Sequence, residues 1–359
     1  KFRFQVPEVM KFTLPACILL WPLSLVARID GRATRSSQFL GVPQAPAQNH
    51  TDRNAVFGMS CNFNASVLSP FLVSLRATGF QGAIVMGVDP DLNHATLDFL
   101  QRYNVTMHSE PCAEQKEQKK EFPNGHFHGN LNQLRWRHYQ RWLSDYNYTN
   151  VWFLDTRDVI FQSDPFRSMP RNPQRVFLFA DQKRLNMEWS GKHMKSCLGT
   201  KGLTWGSFQG ADWPELCGGL MFGDAVSVAS FVTKMVKVVD AVQAKKQFGN
   251  DDEGSITDDE MAARCTTSDQ YLLNYVGFHF PQAKRTLFDV FQGPVANVDN
   301  CRDLSRYNLT IEPDRPLSKD GTPFALVHKW DHCQQTWHLG SKGPWNGKLW
   351  GTNSYAAPR

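Results

Sequence analysis

Short apolar segments alternate with helical segments after an irregular amino-terminal region. Apolar runs at 55–60, 83–88 and 105–107 have the length and composition of buried strands, and apolar residues recur at helical spacing over 67–75 and about 92–103. Two parallel strands must be joined by a long crossover, which is usually an α-helix. The order strand, helix, strand, helix, strand therefore predicts an α/β fold, with a parallel sheet and helices packed on its faces.

Later segments continue this pattern. The sequence predicts further elements at the following positions: helices at about 131–148, 225–246 and 268–277, and strands at 151–154, 176–180 and 323–328. The charge run at 113–121 predicts a solvated loop or helix face, and the acidic segment 251–260 predicts an exposed loop.

The composition is that of a globular protein. Apolar residues make up 41% of the 359 residues and charged residues 20%, which excludes disorder, collagen and coiled coil as descriptions of the whole chain. Lys and Arg total 39 against 34 Asp and Glu, a net charge of +5. No segment collects this small positive charge, so we expect no nucleic-acid partner.

The amino-terminal region has the pattern of a targeting segment. Lys11 precedes an apolar stretch at 12–27, which is shorter than the about 20 residues of a membrane-spanning helix. Residues 1–30 are therefore predicted to be a signal peptide or a signal anchor, with cleavage left open, and a buried core helix is the alternative. Residues 31–53, rich in Ser, Gln, Pro and Asn, suit a stem or linker.

Two further features favour the secretory pathway. Glycosylation sequons of the N-x-Ser/Thr type occur at five positions: Asn49, Asn64, Asn104, Asn147 and Asn308. Seven of the eight cysteines lie outside the apolar stretch, enough for up to three disulfides with one thiol left over, and their pairing stays open. We expect a protein of the Golgi or ER lumen (type II membrane protein) or a secreted one, which meets a membrane only through the amino-terminal anchor.

Two carboxylates follow the apolar strand at 151–154. Asp155 and Asp158 stand three residues apart, before a second apolar run at 159–161. The carboxyl end of a buried strand is where open α/β sheets bind ligands, and oxygen ligands suit Mn²⁺ or Mg²⁺, which can also hold a diphosphate. The alternative is a pair of solvated carboxylates in a turn, one of them paired with Arg157.

The same region carries a family resemblance. A helix bearing Arg137 and Tyr139 precedes the run L-D-T-R-D-V-I-F-Q-S-D-P-F at 154–166. This resembles the metal-binding D-x-D region of GT-A nucleotide-sugar glycosyltransferases, with glycogenin-like and galactosyltransferase-like relatives. The resemblance implies a Rossmann-like mixed, mainly parallel sheet flanked by helices, a nucleoside diphosphate sugar as donor, and Mn²⁺ or Mg²⁺ as cofactor. Here the spacing is D-x-x-D, and alignment on the following Val makes Asp158 a metal ligand and Asp155 its companion, or a contact to the sugar or ribose.

A glycine-rich run also resembles a segment of the family, and it follows the acids in the same order along the chain. The sequence E-L-C-G-G-L-M-F-G at 215–223 is similar to the strand that lines the donor sugar, although Cys217 stands where the family often has Asn. Gly218 and Gly219 remove side chains where a backbone must approach a ligand or another strand. The alternative is a glycine bulge set by packing alone.

The run S-D-Q-Y-L-L-N at 268–274 resembles the D-Q-x-x-x-N start of a family helix. The resemblance implies a catalytic role for Asp269, as a base if the enzyme inverts the sugar configuration or as a positioning group if it retains it, and the sequence leaves the stereochemistry open. The structural alternative is that Ser268 caps the helix and that the helix dipole stabilises Asp269 in the first turn.

The remaining predicted ligands are also implied by the resemblance. A strand ends at His328, which is expected to complete the metal site, with His338 as the alternative ligand. Lys342 is expected to contact the diphosphate. Asn62, in the loop after the first strand, is expected to border the nucleotide base, and Arg137 to reach the phosphates or an active-site acid.

These features predict a glycosyltransferase domain at 54–345, followed by a tail at 346–359. The reaction implied is transfer of a hexosyl or pentosyl group from a nucleoside diphosphate sugar to a hydroxyl of a glycan, a glycoprotein or another secretory-pathway acceptor. Two other classes stay open: a catalytically inactive lumenal carbohydrate-binding protein with the same fold, and a metal-dependent phosphohydrolase.

Overall fold

The computed structural model describes the following residues: 53–121, 131–170, 174–185, 213–243, 269–298, 310–312, 315–318 and 320–333. The chain divides into two units, Lys1–Ala47 and Gln48–Arg359, and all of these residues belong to the second. The predicted targeting segment, nearly all of the stem, the acidic loop at 251–260 and the tail lie outside the described residues. Among the described helices, none is long and apolar enough to span a membrane.

Strands and helices alternate along the described chain. The strands are β1 (Asn54–Met59), β2 (Ala83–Gly87), β3 (Val105–His108), β4 (Asn150–Leu154), β5 (Val159–Phe161), β6 (Val176–Arg184), β7 (Pro214–Asp224), β8 (Arg285–Phe288), β9 (Val295–Asn297), β10 (Thr310–Glu312), β11 (Arg315–Leu317) and β12 (Leu326–His328). The α-helices are α1 (Ala65–Ala77), α2 (His94–Arg102), α3 (Glu110–Glu121), α4 (Leu131–Asp145), α5 (Ala225–Gln243) and α6 (Gln270–His279).

A seven-stranded sheet has the strand order β3-β2-β1-β4-β7-β6-β8. Strand β7 runs antiparallel to its neighbours β4 and β6, and the other adjacent strands are parallel. The prediction of a mixed, mainly parallel sheet flanked by helices is confirmed. Because the first four strands are parallel, the loops that follow them lie along one edge of the sheet, which is called the carboxyl edge below.

Helices cover both faces of this sheet, because each strand sends alternate side chains to opposite sides. On one face, Phe57 of β1 belongs to a buried cluster that includes Tyr139 and Trp142 of α4 and residues of α5 and α6. On the other face, Val56 belongs to a cluster with Phe71 of α1 and residues of α2. Burial on both faces explains why the strands appear in the sequence as continuous apolar runs.

Local sequence sets the bounds of α1. The side-chain Oδ1 of Asn64 accepts hydrogen bonds from the backbone N–H groups of Ser66 and Val67, which caps the amino end of the helix. After the helix, Gly79 has a φ of +85°, in the left-handed region that glycine tolerates best. The chain can therefore turn sharply into β2.

A three-stranded sheet with the order β5-β12-β9 brings distant parts of the chain together. Strand β12 is antiparallel to β5, with His328 opposite Val159, and parallel to β9, with His328 opposite Asn297. The sequence predicted β12 within 323–328 but neither β8 nor β9. These strands have four and three residues, too few to show a period of two in the sequence.

Cys61 and Cys112 form a disulfide, with their Cα atoms 5.4 Å apart. The bond joins the loop after β1 to α3, so one of the predicted disulfides is present in the structure. Cys217 is a free, buried cysteine of the described part of the chain. The other cysteines of the predicted domain contribute no described side chain.

Candidate metal centre

Asp155, Asp158 and His328 lie together at the carboxyl edge of the seven-stranded sheet. Asp155 directly follows β4, Asp158 precedes β5, and His328 ends β12. Because β12 pairs with β5, strand pairing brings the histidine to the acids. The Nε2 atom of His328 lies 3.4 Å from Asp158 Oδ1 and 3.7 Å from Asp155 Oδ2.

The donor atoms of this cluster fit a divalent cation. Asp158 Oδ1 and His328 Nε2 are buried and have no hydrogen-bond partner in the described structure, although unpaired buried polar atoms are costly. Carboxylate oxygens suit Mn²⁺ and Mg²⁺, and imidazole is a common ligand of transition metals. The Asp155 side chain is 41% exposed, so a ligand can reach the cluster from solvent.

The ionisable side chains of the cluster shift the pKa values of their neighbours. Burial alone would lower the pKa of His328, but Cys217, Asp158 and Asp155 raise it well above its ordinary value. Partial burial opposes the ionisation of Asp155, but His328 and Arg135 hold its pKa below the usual range. A cation that binds His328 therefore competes with a proton for Nε2.

A buried arginine joins Asp155 to a second acid. Arg135 of α4 donates from Nη1 to Asp155 Oδ1 (3.0 Å), from Nε to Asp269 Oδ2 (2.9 Å) and from Nη2 to the Gly218 carbonyl (2.7 Å). Burial disfavours the guanidinium charge, but Asp269 and Asp155 raise the pKa of Arg135 above its ordinary value. One cation therefore holds two carboxylates and a strand carbonyl in fixed positions.

The sequence singled out Arg137, whereas the structure brings Arg135 to the acids. Arg137 donates from Nε and Nη2 to Asp240 of α5, at 3.0 and 2.7 Å, and its side chain is 42% exposed. Two residues along an α-helix correspond to a rotation of about 200°, so the two arginines lie on different sides of α4. The feature of the sequence that could have indicated Arg135 is its position between two apolar residues, Leu134 and Trp136, which are both buried.

Asp269 lies behind the cluster and away from solvent. Its side chain is 4% exposed, and its Oδ2 accepts hydrogen bonds from Arg135 and, at 2.8 Å, from Trp136 Nε1. It stands at the N-cap position of α6, but its carboxylate makes no capping hydrogen bond. The carboxylate thus bonds to two side chains of α4, and its catalytic role stays a prediction.

The two glycines of β7 lie against the charged side chains. A Cβ atom on Gly219 would overlap the Asp155 carboxylate and lie 3.1 Å from His328 Nε2, and one on Gly218 would lie 3.3 Å from Arg135 Nη2. The same segment is irregular against β6, because the register shifts between Leu178 and Ala180. The bulge expected from packing is therefore present, and the role of the two glycines beside a donor sugar stays a prediction.

Two other side chains, those of Cys217 and Arg157, border the cluster. The Sγ atom of Cys217 lies 3.5 Å from His328 Nδ1, so this residue contacts the histidine from within the core. Arg157 Nη2 lies 3.6 Å from Asp158 Oδ2, which agrees with the pairing in the turn interpretation, but the Asp158 side chain is only 10% exposed and so is not solvated. Asn62 has a φ of +65°, and its backbone N–H donates to Asp89 Oδ2 at 2.5 Å.

Two of the predicted residues, His338 and Lys342, lie outside the described residues. Of the two candidate histidines, His328 is the one that the structure places beside the acids. The roles of Asn62 at the nucleotide base and of Lys342 at the diphosphate stay predictions.

The sequence matches no protein-family model and no curated protein. Among solved structures, the chain is similar to core-mannan synthase A from Aspergillus fumigatus in its Mn/GDP form, at 12% identity, with 68% of this chain and 74% of that chain covered. The TM-score is 0.40.

Proposed function

We propose that this chain is a metal-dependent glycosyltransferase, which moves a hexosyl or pentosyl group from a nucleoside diphosphate sugar to a hydroxyl of a carbohydrate or glycoprotein acceptor. The observation that carries the proposal is the cluster of Asp155, Asp158 and His328 at the edge where α/β sheets bind ligands. Its unpaired buried donor atoms favour a cation, and a cation next to solvent can hold a diphosphate. The resemblance of 154–166 to GT-A enzymes supports the same assignment.

In this proposal the three clustered residues hold Mn²⁺ or Mg²⁺. A bound cation offsets the negative charge that develops on the departing diphosphate. Arg135 keeps the Asp155 carboxylate ionised and oriented, because its Nη1 donates to Asp155 Oδ1. Gly219 leaves the space beside Asp155 and His328 free of a side chain.

Asp269 is proposed to act as a positioning group in this reaction. Its carboxylate is buried and accepts hydrogen bonds from Arg135 and Trp136, so it has no open path to an acceptor hydroxyl in the described structure. Arg135, which Asp269 binds, also donates from Nη1 to Asp155 Oδ1, so Asp269 helps to hold Asp155 in place. Lys342 is proposed, from the family resemblance alone, as a second cation at the diphosphate.

A lumenal location of the Golgi or ER, or secretion, is part of the proposal. The Cys61–Cys112 disulfide is typical of an oxidising compartment. The sequon residues Asn64, Asn104 and Asn147 are all exposed, as glycosylated side chains must be. The apolar amino-terminal segment is proposed as the signal peptide or anchor.

The test is turnover of nucleotide sugars by the purified chain. We expect release of nucleoside diphosphate and labelling of a glycan acceptor in the presence of Mn²⁺, and loss of both when the metal is chelated. Asp158→Ala should lower kcat/KM at least about 100-fold, since a metal ligand contributes several kcal/mol to the barrier. Asp98→Asn, an exposed change on α2, is the control and should leave turnover unchanged.

The other outcomes identify the competing classes. Full activity of Asp158→Ala with unchanged metal dependence would overturn the metal assignment. Binding of glycans without any nucleotide-sugar turnover would indicate an inactive carbohydrate-binding protein. Release of phosphate from simple esters, with no sugar transfer, would indicate a phosphohydrolase.

A further inference from the structure

The two ring nitrogens of His328 have different surroundings. Nε2 faces the carboxylates of Asp155 and Asp158 and makes no hydrogen bond in the described structure. Nδ1 lies 2.9 Å from Oδ1 of Asn297, a residue that is 2% exposed. The two residues are register partners in the pairing of β12 with β9, so the sheet itself places them side by side.

The orientation of the Asn297 amide follows from its other contacts. Its Nδ2 donates to the Ala180 carbonyl at 2.9 Å and to Asp181 Oδ1 at 3.0 Å, and both of these groups are acceptors. A flipped amide would place its oxygen against two acceptors in a buried site, which is unfavourable. The oxygen of Asn297 therefore faces His328 and must accept a hydrogen bond there, so His328 Nδ1 must carry a proton.

Asp181 is itself held as an acceptor. Lys329 Nζ lies 2.7 Å from Asp181 Oδ1, and Gln270 Nε2 donates to Asp181 Oδ2 at 3.0 Å. Asp181 lies in β6 and is 1% exposed. A buried chain of hydrogen bonds thus runs from His328 through Asn297 to Asp181, and it joins the three-stranded sheet to the seven-stranded sheet.

We propose that Asn297, anchored by Asp181, is a positioning residue that keeps the proton of His328 on Nδ1 and directs the lone pair of Nε2 toward Asp155 and Asp158. The inference rests on the proposed function in one respect, that the group at Nε2 is a metal ion. Partners of this kind around a ligating histidine fix its tautomer and ring orientation, and their loss typically lowers metal affinity 10–100-fold.

The first experiment measures the affinity of the chain for Mn²⁺. Binding of Mn²⁺ to the purified chain is followed by electron paramagnetic resonance, with Asn297→Ala expected to weaken it by about 10–100-fold. In a His328→Ala background, Asn297→Ala should have no further effect, because it acts through the histidine. An equal loss in both backgrounds would show that Asn297 acts on the fold and would overturn the inference.

A matched control is available at Asn274. This asparagine is also fully buried, but its side chain bonds the backbone of Leu216 and Gln270 and does not contact His328. Asn274→Ala should lower the free energy of unfolding, as Asn297→Ala does, while the folded protein keeps its Mn²⁺ affinity. A loss of affinity equal to that of Asn297→Ala would count against a specific role for Asn297.

The second experiment needs neither metal nor an altered fold. In the metal-free chain with ¹⁵N-labelled histidine at alkaline pH, where the ring carries a single proton, NMR should show that proton on His328 Nδ1, with the signal assigned by its absence in His328→Gln. A bare Nδ1 would overturn the inference even if Mn²⁺ binds. A protonated Nδ1 in a chain that binds no Mn²⁺ would refute the metal site of the proposed function and leave the role of Asn297 intact.

Discussion

Arg135 and Arg137 each pair with a carboxylate, and the two carboxylates differ in their exposure to water. Removal of Arg135 would leave the carboxylate of Asp269, 4% exposed, without its cation, whereas Asp240, the partner of Arg137, is 51% exposed and would regain water. The cost of an unpaired charge depends on burial, since water screens the exposed one. The difference in the cost of losing each arginine therefore comes from the burial of its partner carboxylate, and not from the ion pair itself.

Arg135→Met is expected to lower the free energy of unfolding by about 3–5 kcal/mol, because it strands a buried carboxylate. Arg137→Met, the matched change on the same helix, should cost less than about 1 kcal/mol. Urea denaturation of both variants measures the difference. Equal losses would mean that Arg135 is not the buried cation of the site.

At the scale of elements, two histidines lie where β3 and α3 pack against α4. The His108 ring stacks on Trp142, with centroids 5.0 Å apart, and its Nδ1 lies 3.8 Å from Glu110 Oε2. His138 Nε2 lies 3.2 Å from Glu114 Oε2, and Arg141 donates to its Nδ1 at 2.7 Å. Burial is the main cause that lowers the pKa of both histidines.

These lowered pKa values make the packing sensitive to acid. Since the unfolded chain binds protons near pH 6.5 and the folded chain only at lower pH, the free energy of unfolding should fall as the pH drops through about 6.5. His108→Phe keeps a ring on Trp142 and removes one titrating group. It should therefore show a smaller loss of stability between pH 7.5 and 5.5.

The measurement is urea denaturation at both pH values, with His94→Gln, an exposed change in α2, as the control. The control should keep the pH dependence of the original chain. If His108→Phe also keeps the full dependence, burial of His108 is not its source, and other titrating groups, His138 among them, must account for it.

At the scale of the whole molecule, two sequons lie away from the metal centre. Asn104, with a φ of +54°, is exposed in the turn before β3, and Asn147 is exposed in the loop before β4. Both positions precede parallel strands, and the candidate metal centre follows the carboxyl end of β4. Glycans at these residues would therefore leave the site open to its substrates.

Expression through a eukaryotic secretory pathway should attach N-linked glycans at Asn104 and Asn147. Mass spectrometry after enzymatic glycan release should show the conversion of each Asn to Asp, and Asn104→Gln and Asn147→Gln should each remove one glycan. Asn132→Gln, an exposed change outside any sequon, should remove none. An unglycosylated secreted protein would contradict the interpretation of these sequons.

Much of the fold could be predicted because the information is local. The strand at 83–88, the helix around 67–75 and the stop at Gly79 depend on spacing and capping within about ten residues, and the structure has all three. The same holds for Asp155 and Asp158, since a carboxylate directly after an apolar strand stands at the carboxyl edge wherever that strand lies in a parallel sheet.

The sequence by itself thus determined the α/β class, most of the helices and strands, and the two acids beside a strand end. Only the tertiary structure decided that β7 runs antiparallel, that Cys61 pairs with Cys112, that Arg135 faces the acids, and that Asn297 lies beside His328. The physical reason is range: a periodic pattern is set by neighbours along the chain. Pairing between distant segments instead depends on how the sheets and helices bury their surfaces together.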